Sequence, residues 1–208
     1  MFHILDLYAK PYDPKHPQVC MDEKSKELHK EVRTPQLAKP GQVARQDYEY
    51  KRNGTRNMFV FVEPQAGSRH VLVTRRRTKI DFAYAIRYLV DVLYPDAEWI
   101  ELVMDGLNTH REVNLIEIFG KSEADRILNK VRFHHTPPHA SWLNMAEIEI
   151  GVMEAQCLDR RIPDEFTLYR EVVLWEARRN EQKAKIHWTF TRQKAEKAFS
   201  KIQSHSVC

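Results

Sequence analysis

The sequence has few cysteines, no long apolar run and almost no net charge. Cys20, Cys157 and Cys208 are odd in number and far apart, and no CxxC pair is present to hold zinc or carry redox chemistry. A reducing compartment is therefore expected. No stretch approaches a membrane span, and Met1-Phe2-His3-Ile4-Leu5-Asp6 lacks both the basic flank and the apolar run of an export signal. These absences point to a soluble, cytoplasmic protein that does not engage a membrane. A hydrophobic content of 42% beside 30% charged residues rules out a disordered tail, and 208 residues suit one domain with a sizeable core and an appendage. The net charge is only +4, yet it is unevenly spread. Residues 160–201 hold 11 of the 33 basic and 6 of the 29 acidic side chains, leaving 22 and 23 elsewhere. The basic excess lies toward the C-terminal end, where it suits either a nucleic-acid surface or a solvated helix face.

After a lead broken by Pro11, Pro14 and Pro17, the run Val19-Cys20-Met21-Asp22-Glu23 predicts a short strand that delivers Asp22 at its end. Residues 25–46 suit an irregular connection. The segments 48–52 and 57–63 flank Asn53-Gly54, which predicts a hairpin turn, and 70–74 predicts a third strand. The period then changes: Phe82, Ile86, Leu89, Val90 and Leu93 recur at helical spacing until Pro95. Trp99-Ile100-Glu101-Leu102-Val103-Met104-Asp105 is a nearly continuous apolar run ending in an acid, as expected of a central strand buried between helices. A capping box at Thr109 to Glu112 predicts a helix ending at Gly120. A short helix over 123–130 and a strand over 131–134 follow. Two prolines, Pro137 and Pro138, then brake the chain before a helix with Ser141 as its expected N-cap. The order predicts an α/β fold with antiparallel strands first and crossovers afterwards. Residues 1–161 form the expected main domain, and 162–208 a basic, mainly helical appendage with an amphipathic helix over 164–179.

On the helix after Ser141, Asn144, Glu147, Gly151 and Glu154 share one stripe at about 100° per residue, and Glu149 points about 200° away from Glu147. Gly151 leaves room beside Glu147. Asp22, Asp105 and Glu147 then share a logic: two stand at the ends of strands that could be sheet neighbours, and the third rides a helix crossing back over the sheet. Acids also end strands simply as turn residues. Gathered carboxylates repel each other unless divalent cations lie between them, and oxygen-only ligands favour magnesium or manganese over zinc. Two such ions about 4 Å apart activate an attacking water or hydroxyl and stabilise the leaving oxygen of a phosphodiester.

Val19-Cys20-Met21-Asp22-Glu23, Leu102-Val103-Met104-Asp105-Gly106-Leu107-Asn108-Thr109-His110 and His135-Thr136-Pro137-Pro138-His139-Ala140-Ser141-Trp142-Leu143-Asn144-Met145-Ala146-Glu147 resemble the three catalytic blocks of bacterial insertion-sequence transposases related to the mariner group. The resemblance extends over most of the chain, including Trp188-Thr189-Phe190-Thr191, and the third block is its most specific part. It implies a ribonuclease-H-like mixed sheet flanked by helices, with Asp22, Asp105 and Glu147 as catalytic residues and ligands of two Mg2+ or Mn2+ ions. Asp22 would bridge the ions, and Asp105 and Glu147 would each complete one. Cleavage at the transposon ends would be followed by strand transfer into target DNA. The family's register selects Glu147, three residues after Asn144, with Glu149 as the alternative. Relatives often read Asp-Asn in the second block, where Asp105 here precedes Gly106.

The resemblance further implies DNA as partner, a homodimer that brings two ends together, and association with the nucleoid. Only 21 residues precede Asp22, so the helix-turn-helix segments that family members carry ahead of this domain are expected either on a separate polypeptide or to have been lost or trimmed away. The alternative function is an inactive or truncated remnant that only binds DNA or assembles. Asn108, His110 and Asn144 are candidates for orienting the acids. Arg75, Arg76, Arg77, Arg178 and Arg179 are candidate DNA contacts, with a solvated face as the alternative. Trp142 and Trp188 could stack on bases, although core packing is the expectation. A zinc site from His110, His134, His135 and His139 is disfavoured, because neighbouring strand residues point to opposite faces and no spacing matches a zinc pattern.

Overall fold

The computed structural model describes residues 1–34, 36–44, 47–106 and 111–205. Helix α1 (Phe2–Tyr8) precedes two 14-residue strands, β1 (Gln18–Glu31) and β2 (Tyr50–Glu63), and a shorter β3 (Ser68–Thr74). Helix α2 (Lys79–Tyr88), extended by a wider turn over Leu89–Leu93, leads to β4 (Ile100–Met104). Helices α3 (Glu112–Phe119) and α4 (Lys121–Leu128) lead to β5 (Val131–His135), and α5 (Ala146–Met153), α6 (Glu165–Glu181) and α7 (Arg192–His205) follow. The sheet order is β3-β2-β1-β4-β5. The β1–β2 and β2–β3 pairs are antiparallel, whereas β4 runs parallel to both β1 and β5. This is the mixed sheet of an α/β fold, as the element order predicts, and it matches the ribonuclease-H-like arrangement that the resemblance implies.

Strand alternation explains how one sheet feeds two cores. Val19, Met21, Phe59, Phe61, Leu102 and Met104 pack with α2, α3 and α4 on one face. Cys20, Met58, Val60, Val62 and Val103 pack with α1, α5 and α6 on the other. Both faces are covered, so the centre of the sheet reads as unbroken apolar sequence. Each helix start has its own cause. Thr78 and Asp81 form a reciprocal capping box for α2, and Asp164 accepts from the Thr167 backbone N–H at 2.8 Å to begin α6. Among the described residues, no helix is long and apolar enough to cross a membrane.

Several local expectations need correction. The first strand does not end at Asp22: β1 continues to Glu31, through residues expected to be irregular, because β2 pairs with it from Cys20↔Val62 to Glu31↔Tyr50. Asn53-Gly54 does not turn the chain: β2 runs straight through it, and the pairing shifts from Glu27↔Thr55 to His29↔Arg52. Asn53 and Gly54 together oppose Leu28, a bulge in which Gly54 takes φ 88°. Ser141 does not cap α5. It begins a single 3-10 turn, Ser141–Leu143, and α5 starts at Ala146, whose N–H donates to the Asn144 Oδ1 at 3.2 Å. The lead before Pro11 is helical and places Ile4, Leu5, Leu7 and Tyr8 in the core. Residues of the expected appendage enter the core on this side of the sheet. Ile162, Leu168, Val172, Trp175 and Ala195 pack in one cluster with Cys20 and Met58, and the Trp175 indole N–H donates to Gln156 Oε1 at 3.0 Å.

Candidate active site

The parallel register of β1 and β4 brings two of the predicted acids together. Cys20 and Val103 are paired, and Asp22 and Asp105 each stand two residues further along. Equal steps on adjacent parallel strands keep both aspartates at the same height. Equal parity turns both toward the face that carries α5. Helix α5 presents Glu147 in its first turn. Burial pushes the Asp22 carboxyl up to about 6, helped by the nearby negative charges of Asp105, Glu147 and Glu23 and opposed by the Glu23 backbone N–H. Asp105 and Glu147 therefore both lie within electrostatic reach of Asp22.

Asn144 ties the third block to the first. Its side-chain amide donates to the Met21 carbonyl at 2.8 Å and to Asp22 Oδ2 at 3.3 Å, while Asp22 Oδ1 accepts from the Glu23 N–H at 2.7 Å. With its amide on Asp22 and its carbonyl on the first turn of α5, Asn144 couples the strand acid to the helix that bears Glu147. The buried Tyr8 hydroxyl donates to the Leu143 carbonyl at 2.7 Å and braces the same loop from α1. Sequence reasoning missed that brace, since no local pattern marks Tyr8.

Glu149 lies elsewhere. Fully buried, it accepts from Arg179 through Nε at 2.9 Å and through the terminal nitrogen at 3.0 Å, and Arg69 Nε stands 3.1 Å away. Of the two glutamates, Glu147 is the exposed one. Arg179, a predicted DNA contact, has its guanidinium engaged in this cluster. Arg178 is exposed on α6. Arg75 and Arg76 are exposed beyond β3, and Arg77 reaches within 3.7 Å of Glu23, the neighbour of Asp22. The backbone of this arginine run is anchored where Asn57 donates to the Arg75 carbonyl at 3.3 Å.

The histidines separate. His134 Nε2 lies 2.7 Å from Glu101 Oε2, whose carboxyl is held below its ordinary range by the His134 and Trp99 hydrogen bonds despite burial. His135 Nδ1 is 3.2 Å from the Asp105 carbonyl, and His139 adopts φ 61° in the proline loop. Asn108 and His110 lie outside the described residues. Trp142 is 45% exposed, with Trp188 stacked at 6.3 Å and the Phe190 ring edge-on at 5.4 Å.

As the side chains stand, no group of three or more His, Cys, Asp or Glu among the described residues is set to hold a metal ion. The donor chemistry nonetheless fits a hard divalent cation. The trio is oxygen-only, the donor set that hard divalent cations prefer. The Asp22 carboxyl is raised chiefly by burial and further by the neighbouring acids, whose repulsion a cation would relieve.

A family model described as DDE superfamily endonuclease matches residues 17–169, a span holding all three acids. Solved structures share the fold. The Mos1 mariner paired-end complex with Mn aligns with TM-score 0.57 and 15% identity, over 88% of this chain and 54% of that one. The Mos1 transposase paired-end complex with left transposon end gives 0.56 and 14%, over 88% and 56%. The mariner Mos1 paired-end complex with Mg gives 0.50 and 14%, again over 88% and 56%. The chain thus spans about half the length of these proteins. No curated protein matches it.

Proposed function

The chain belongs to the DDE superfamily endonuclease family, and from that premise we propose that it is the catalytic domain of an insertion-sequence transposase, cutting DNA at the element's ends and joining them to target DNA. The observation that supports this most is the convergence of three distant parts of the sequence: Asp22 and Asp105 each stand two residues past the paired Cys20 and Val103, and Asn144 links Asp22 to the helix that bears Glu147. Two Mg2+ or Mn2+ ions, when bound, would supply a water or hydroxyl nucleophile at neutral pH and stabilise the leaving oxygen. Asp22, Asp105 and Glu147 would together hold these ions through their carboxylate oxygens. Asn144 holds the Asp22 carboxylate in place, and the Glu23 N–H fixes its second oxygen.

Arg77 reaches within 3.7 Å of Glu23, beside Asp22, and Arg75, Arg76 and Arg77 are proposed to contact the phosphate backbone, with Arg178 as a further contact. In this reading Arg179 serves the buried cluster. Recognition of particular end sequences is assigned to a helix-turn-helix polypeptide outside this domain, and synapsis of two ends to a homodimer. Such a protein would work in the cytoplasm, on the nucleoid.

A nicking assay on duplex DNA with Mg2+ tests the reading directly, comparing the parent with Asp22→Ala, Asp105→Ala and Glu147→Ala. Loss of nicking in each variant, with DNA binding retained, is the expected result. Equal nicking by all four proteins would remove the catalytic assignment, and DNA binding without nicking by any of them would leave a binding or assembly module.

A further inference from the structure

Helix α5 carries Glu147, but its apolar pattern does not say which way the helix should be turned. In Ala146-Glu147-Ile148-Glu149-Ile150-Gly151-Val152-Met153 the apolar residues alternate like those of a strand, so they surround the helix instead of forming one stripe. Ile148 remains 45% exposed although it is a large aliphatic residue. Hydrophobic burial alone would accept more than one rotation of this eight-residue helix, and most of those would carry Glu147 away from Asp22.

The buried charge at Glu149 removes that freedom. Arg179 grips its carboxylate with two parallel hydrogen bonds, a geometry that fixes direction as well as distance. Arg69, with no exposed surface, approaches the same oxygen at 3.1 Å without a hydrogen-bonding alignment of its Nε. Arg69 is itself immobilised by the carbonyls of Gly67 at 2.9 Å, Arg179 at 2.8 Å and Ala184 at 2.5 Å. It thereby places a cation at the C-terminal end of α6, where the helix dipole favours one. Asn180 locks α6 to β3 by exchanging hydrogen bonds of 2.8 Å with the Arg69 backbone N–H and carbonyl. The receptor for Glu149 is thus rigid, and a misrotated α5 would leave two arginines without their counter-charge.

We infer that the Arg69–Glu149–Arg179 cluster sets the rotation of α5 and thereby aims Glu147 at Asp22, making Glu149 and Arg179 positioning residues for the proposed metal site. Glu147 and Glu149 are about 200° apart around the helix, so anchoring one toward β3 and α6 turns the other toward β1. Buried ion pairs contribute little net stability compared with apolar replacements, and their best-attested use is to select one packing arrangement among several. The inference rests on the proposed function, because it assumes that Glu147 is a ligand.

The test is Mn2+ binding followed by electron paramagnetic resonance, together with thermal unfolding, on the full chain. Arg179→Lys keeps the charge but loses the two-pronged grip. Glu149→Leu combined with Arg179→Leu replaces the pair by packed apolar groups and leaves Arg69 its carbonyl acceptors. Arg179→Lys is expected to unfold close to the parent temperature and the double variant below it, because the buried Arg69 loses its counter-charge. Both are expected to stay folded and to bind Mn2+ about 10–100-fold more weakly, the usual cost of losing a group that orients a ligand. Parent-like Mn2+ affinity in either folded variant overturns the inference. Asp22→Asn is the control for the underlying reading: if it binds Mn2+ as the parent does, the metal site falls and the positioning role with it. If it abolishes binding, the two variants decide the positioning role alone.

Discussion

Asn144 reaches across from the third sequence block to hold Asp22, donating to its carboxylate at 3.3 Å and to the preceding Met21 carbonyl at 2.8 Å. The amide is buried and satisfied at both ends, since its own oxygen accepts from Ala146. Asn144→Asp would replace the donor by a second carboxylate facing Asp22. The expected outcome is a loss of about 1–3 kcal/mol in urea unfolding at neutral pH, from the buried unpaired acceptor at Met21 and like-charge repulsion. A variant as stable as the parent would show that this bridge carries no energy.

Asp22 should make the metal-free protein less stable as pH rises. An unfolded aspartate titrates near 3.9, whereas the native carboxyl is pushed up to about 6, so the folded chain binds more protons between those values. The stability from this group is present in full below about pH 4 and is lost as pH rises through about 6. Asp22→Asn should therefore stabilise the metal-free protein by about 1–3 kcal/mol at pH 7.5 and leave it nearly unchanged at pH 4. Parallel stability curves for the two proteins across this range would contradict the raised pKa.

Gly67 adopts φ 72°, and a Cβ there would stand 2.5 Å from the Lys183 carbonyl carbon and oxygen. Both the backbone conformation and the contact with main-chain atoms penalise any side chain. Gly67→Ala should cost about 2–4 kcal/mol in chemical denaturation, since positive-φ strain and an unyielding steric contact add. A cost below about 1 kcal/mol would mean that the end of α6 moves aside easily.

The arginine run beyond β3 should be felt in the salt dependence of DNA binding. Replacing Arg75, Arg76 and Arg77 by Ala should weaken binding to any duplex sequence and lower the slope of log K against log salt by about 2.7, or 0.9 for each phosphate contact. An unchanged slope would assign these side chains to solvent and to their carboxylate neighbours.

Much of this architecture can be read from the sequence because burial on both faces leaves long apolar runs. The run through β4 and the shorter one at the start of β1 each end in an acid, and both acids reach the site. What escapes such reading is decided by partners far away in the chain. Asn53-Gly54 supplies a positive φ whether it forms a hairpin turn or a bulge, and only the pairing of Leu28 from β1 chooses the bulge. Ser141 has the chemistry of a cap, but Asn144 is already anchored to Met21 and Asp22 and starts the helix later. Arg69 and Arg179 look like surface charges until a buried Glu149 is placed between them. The N-terminal helix is recognisable only from the core that Ile4, Leu5 and Leu7 enter.

The parallel pairing of β1 with β4 constrains how such a protein can change over time. A residue added to the connections before or after β4 shifts no side chain within the strand, so those segments are free to vary in length. A residue inserted or deleted between Val103 and Asp105 would flip the aspartate to the opposite side of the sheet. Evolution can lengthen the links of this chain almost at will, but these two strands admit changes only in steps of two.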